Sequence, residues 1–168
     1  MRNSECHASD LARQALIGAA SGVAGTVAIW LAQTATRRYL PQASEPMRLD
    51  PGEYIVHKAH RMAPPSTWKY MPHTAEKAAA TSLSFVYGGL FGALYGLVRP
   101  LVGGSAALNG LMLGIICWAA GYLGWLPATG LMPPIWKQKP AQVAGPVAQH
   151  AIYGIAAAAA HDLIAEHV

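Results

Sequence analysis

The sequence predicts an all-α membrane protein: a four-transmembrane-helix bundle built from two tandem helix–loop–helix repeats in parallel orientation, with a short amphipathic helix in the first loop. Three observations predict it. No Asp, Glu, Lys or Arg occurs from Gln14 to Thr36, from Ala78 to Val98, from Pro100 to Trp136 or from Pro140 to His161. The basic residues crowd two of the connecting segments, and the two halves of the chain share a motif. Apolar residues make up 53% and charged residues 12% of the 168 residues, about half the charged share of a soluble domain. A bilayer crossing needs roughly 20 apolar residues, and each charge-free stretch supplies them. A soluble helix of that length would expose a charged face, and none of these has one. The expected organisation is one membrane domain, residues 1–168, with spans at about 14–36, 78–98, 106–126 and 143–163.

The first span has an apolar core from Ala15 to Ala32. It is longer than the apolar part of a signal peptide and ends without a small-x-small cleavage site, so it reads as a retained anchor. Cys6 precedes the apolar stretch and Cys117 lies within the third span, which gives no disulfide framework. Gly18, Gly22 and Gly25 begin a small-residue pattern that Gly88, Gly92 and Gly96 repeat in the second span and Gly110, Gly114 and Gly121 in the third. Lipid offers little hydrophobic drive between helices, so small residues that let backbones approach supply the attraction. Helix packing is therefore assigned to Gly18, Gly22, Gly88, Gly92, Gly96, Gly110 and Gly114, and the Ala156–Ala160 run should behave alike.

The long first loop holds Arg37, Arg38, Arg48, Lys58, Arg61, Lys69 and Lys77, and the third loop Lys137 and Lys139. Only Arg2, Arg13 and Arg99 fall on the other side, nine basic residues against three. By the positive-inside rule loops one and three are cytoplasmic and both termini outside, in a bacterial inner membrane. The net charge of +4 then reflects topology rather than a nucleic-acid partner. Within this loop Ile55, Ala59 and Met62 recur at helical spacing with His57, Lys58, His60 and Arg61 around them. That predicts an amphipathic helix at the interface whose basic face meets anionic lipid. His57 and His60 stand at i, i+3 as the sole candidate metal ligands, with His73 a distant third and no thiol or acidic partner.

The first loop ends in Pro64-Pro65-Ser66-Thr67-Trp68-Lys69, and the third contains Pro133-Pro134-Ile135-Trp136-Lys137. Each precedes a small-residue helix carrying Tyr-Gly, at Tyr87-Gly88 and Tyr153-Gly154. Aligned on those tyrosines, Ser84 stands opposite His150 and Tyr95 opposite His161. Residues 11–99 and 103–168 are the two repeats, differing mainly by an insertion of roughly 25 residues in the first loop. Each crosses twice, so the two run parallel about a pseudo-twofold axis along the membrane normal.

Ionisable groups at membrane depth are functional candidates. Tyr95, His150, Tyr153 and His161 form a candidate polar pathway, the two histidines being roughly 16 Å apart along one helix face. Arg99 lies on the same membrane side as Asp162 and Glu166 and is expected to pair with one of them, joining the repeats. Phosphate loops, a nucleophile elbow, HExxH and paired CxxC are absent, so neither an enzyme nor a cofactor is expected.

Gly22 to Thr26 in the first helix, Tyr87 to Gly96 in the second, the Pro-Pro-Trp third loop and His150 to Gly154 in the fourth together resemble the YagU-like bacterial inner-membrane proteins. The resemblance covers most of the chain from the first helix on and implies location and fold only. The long basic insertion departs from it. Three roles remain open: a structural or accessory protein, homo-oligomeric or bound to a membrane partner, or one acting in envelope stress; a small channel or transporter with its path between the repeats; and a membrane enzyme or metal-binding protein using His57 and His60.

Overall fold

The computed structural model describes residues 2–62 and 72–167, with no side-chain description for residues 2–8. The Pro64–Lys69 half of the repeated loop motif lies outside the described residues. Helices α1 (Arg2–Tyr39), α2 (Pro51–Met62), α3 (His73–Val98), α4 (Ala106–Ala119) and α5 (Pro140–Ala165) account for most of the rest, and no strand occurs among the described residues. Three segments are long and apolar enough to cross a membrane: Ser9–Tyr39, His73–Leu101 and Ala106–Ala128. Helix α5 has 26 residues, but Gln149, His150 and His161 dilute its hydropathy and it is not among the three.

Helix α1 extends well beyond the predicted 14–36, over 38 residues. Arg37 and Arg38 in its last turn offset the helix dipole. Ser21 and Thr26 donate to the carbonyls of Ile17 (2.6 Å) and Gly22 (2.9 Å), so both hydroxyls are satisfied within the helix.

Backbone proximity at glycine sets the helix order. A Cβ on Gly18 would collide with the Gly92 carbonyl, and one on Gly22 with that of Gly88, so α1 lies directly on α3. Cβ atoms on Gly110 and Gly114 would meet the carbonyls of Gly154 and His150, which puts α4 on α5 in the same way. Helix α1 also packs along α5, where Gly25 faces the Tyr153 ring. Ala157 and Ala158 are fully buried in the core with Tyr95, Leu113 and Cys117. The resulting order is α3–α1–α5–α4, an arc. Helices α3 and α4 follow one another in sequence through a short turn, with Ser105 capping α4, yet they barely touch.

Helix α4 continues through a π-helical turn, Ala120–Trp125, to a final α-turn at Leu126–Ala128. Gly124 leaves helical geometry there (φ −99°, ψ −109°), and the next turn carries Pro127. Gly130, at φ +75°, then reverses the chain. Tyr122, Leu126, Leu131 and Met132 form a second buried cluster, and Met47, Leu49 and Tyr54 of the first loop pack on it. The Arg48 amide donates to the Leu131 carbonyl at 3.0 Å, strapping the first loop across the ends of α4 and α5.

Helix α2 lies on α3. Its buried residues are Gly52 and Val56, while Ile55 and Met62 are exposed. Without a side chain at Gly52 the helix can seat against the Ala80 backbone of α3.

Candidate functional site

The arc leaves a gap between α3 and α4 at the end strapped by the first loop, and the gap is a cavity of about 1110 Å³. Every long helix contributes to it, from Trp30 on α1 to Tyr87 on α3, Cys117 on α4 and His150 on α5.

His150 and Tyr153 stand at its inner wall. The His150 Nδ1 lies 2.8 Å from the Pro146 carbonyl, which can only accept, so Nδ1 carries the proton and Nε2 of the neutral ring is left as an acceptor. Proline at 146 has no N–H to give its own helix, yet its carbonyl gains this side-chain donor. The ring also meets Tyr122 edge-on at 5.5 Å between centroids. The Tyr153 hydroxyl donates to the Gly88 carbonyl at 2.7 Å, a buried bond from α5 to α3. Its counterpart Tyr87 has a side-chain hydrogen bond with Trp125 and packs on Phe91 at 4.9 Å while lining the cavity.

Tyr95 and His161 lie elsewhere. They meet edge-on at 5.4 Å near the opposite end of the bundle, where Arg99 Nη2 stands 3.3 Å from Asp162 Oδ2 and Nε 3.3 Å from Oδ1. This two-pronged contact ties the end of α3 to the end of α5 and stays partly buried on both sides. Among the described residues Arg99 pairs with Asp162 and not with Glu166. His161 Nδ1 is 3.4 Å from Asp162 Oδ1, while His161 Nε2 and the Tyr95 hydroxyl are buried with no hydrogen-bond partner among the described residues. The four residues of the candidate pathway thus fall into two groups, one on the cavity and one outside its lining.

His57 Nε2 lies 2.7 Å from Glu76 Oε1, joining α2 to α3. No group of three metal-ligating side chains occurs among the described residues.

Sequence reasoning missed Glu45. It sits in the first loop, yet its side chain is only 6% exposed, pairing with Arg37 at 3.2 Å and close enough to act electrostatically on His150 and Tyr122. A carboxylate held out of water is costly unless paired. Being the one acid between Arg37 and Arg48 was its only signal in the sequence. Comparison with protein-family models, with curated proteins and with solved structures returns no match, and nothing in them identifies a YagU-like family.

Proposed function

We propose that this chain is a four-span bacterial inner-membrane protein of two parallel repeats that binds a small ligand in the cavity between them and passes it across the bilayer. The cavity carries the reading. It is lined by the first loop and reaches His150 and Tyr153, while Tyr95, His161, Arg99 and Asp162 lie outside its lining. Substrate sites of repeat-built transporters lie between the repeats.

The span count and repeats draw on further support. Helix α5 is 26 residues long, roughly 39 Å, with no charged residue from Pro140 to His161. Gly22 meets Gly88 as Gly110 meets Gly154, so equivalent glycines join the two helices of each half. The count of basic residues favours loops one and three in the cytoplasm, which would turn the cavity inward.

The test is flux into proteoliposomes holding the full chain. A pH-dependent flux lost in His150→Ala supports transport, and the same flux in the variant refutes a role for this wall. A second reading, an accessory subunit, rests on Leu16, Val23 and Val27, an outward apolar stripe on α1 that could seat another helix. A defined partner retained through mild detergent extraction would favour it.

A further inference from the structure

The cavity's lining restricts what it can hold. Six aromatic residues line it, Phe85, Tyr87, Tyr122, Trp125 and Tyr153 with Trp30 at its exposed edge. Ring faces carry negative potential and attract cations, most strongly when water is excluded. Charged residues of both signs also line it, and their exposure ranks them. Arg48 and Lys77 are exposed at the rim, and the Arg37 side chain is 63% exposed. Water and salt screen such charges. Asp50 is engaged in capping α2, accepting from the amides of Gly52 (2.8 Å) and Glu53 (3.3 Å). Glu53 also lines the cavity and is half-buried, but Glu45 is the more withdrawn, its side chain almost wholly out of water. A charge in that setting acts on its neighbours far more strongly than one at the rim.

We propose that the cavity binds a lipophilic organic cation, its charge held by Glu45 and its apolar groups by the aromatic wall. The assignment rests on the reading of the cavity as a ligand site and adds the class of ligand. Arg37 occupies the carboxylate in the unliganded protein through a single 3.2 Å contact from a mostly exposed side chain. Its departure would leave a nearly buried carboxylate unpaired, so an incoming cation must replace its charge. A bulky cation that brings aryl groups to the rings gains what Arg37, reaching in from water, does not. Arg37 is therefore a competitor for the site, and removing it should strengthen binding.

The experiment is equilibrium binding of tetraphenylphosphonium, and of its anionic isostere tetraphenylborate, to the full chain in mild detergent. Wild type, Glu45→Gln and Arg37→Gln are compared, with helicity and elution volume as controls for folding. The expected result is saturable phosphonium binding that is at least tenfold weaker in Glu45→Gln and several-fold tighter in Arg37→Gln. Phosphonium affinity unchanged by Glu45→Gln overturns the proposal. Should that variant fail to fold, Arg37→Gln decides alone, and no tightening overturns it. Saturable binding of the borate in preference to the phosphonium, lost in Tyr122→Ala, refutes the cation while keeping the cavity as a ligand site. Failure of both ions to bind saturably removes the ligand-site reading itself.

Discussion

Replacing Gly92 with alanine places a methyl group where α1 has only backbone. The new Cβ would collide with the Gly18 carbonyl and stand 2.6 Å from the Cα and N of Gly22. Ordinary contact between carbon atoms begins near 3.5 Å, so α1 and α3 must part by roughly 1 Å at this level. Neither obstacle can rotate away, because both belong to a helix backbone. Overpacking of this kind costs about 1–3 kcal/mol, and rigid neighbours place it near 3. Alanine recovers about 1 kcal/mol of helix propensity, leaving a net loss of about 2 kcal/mol. Gly89, three residues earlier on the same helix, supplies the control. A Cβ there would meet Ala19 O at 3.7 Å and a Val23 methyl at 3.8 Å, ordinary contacts, so Gly89→Ala keeps the propensity gain and stabilises by up to about 1 kcal/mol. Unfolding by sodium dodecyl sulfate in mixed micelles, followed by circular dichroism, should move the two midpoints in opposite directions. Equal shifts, or a Gly92→Ala midpoint at or above wild type, would refute the close-approach argument. In the Gly18→Ala/Gly92→Ala pair the second change should cost less than the first, since both open the same interface.

Tyr153→Phe removes the bond to the Gly88 carbonyl and should lower stability by about 1 kcal/mol in the same titration, with unchanged helicity. Arg99→Gln should cost about 1 kcal/mol, since solvent reaches both partners, and a double-mutant cycle with Asp162→Asn should recover most of it as coupling, whereas one with Glu166→Gln should not. Gly52→Val should lift α2 from α3, because its Cβ would press on the Ala80 backbone, and trypsin cleavage at Lys58 and Arg61 should accelerate severalfold. Unchanged cleavage would mean that α2 is held by something other than the Gly52 contact, with the His57–Glu76 pair next to be removed.

The helices were legible because their signals are local and dense. An absence of charge over some 20 residues, glycine at every fourth position and the Pro-Trp-Lys segments can all be read along the chain. The α2 helix was readable too, but not its seat on α3, which rests on a single glycine fitting the Ala80 backbone. For the site, burial of His150 and Tyr153 followed from their place in an apolar helix. Their separation from Tyr95 and His161 did not, since it depends on where α3 and α4 diverge. The π-turn at Ala120–Trp125 left no trace in a window of uniform hydropathy, although it carries Tyr122 into the cavity wall. Glu45 shows the limit most clearly: a loop residue acquires burial only from long-range folding, here the strap formed by the bond from Arg48 to Leu131.

The arc order has a consequence for how the chain is made. Ribosomes deliver α1 first and α5 last, yet these two are neighbours. Helix α1 can wait in the bilayer because its Ser21 and Thr26 hydroxyls are already bonded within the helix, and it can take up α3 along the glycine ladder as soon as that helix arrives. Helix α5 brings Gln149 and His161, which carry buried polar atoms without a partner among the described residues. A nascent chain halted before Pro140 should therefore hold a stable α1–α3 hairpin beside a loosely tethered α4.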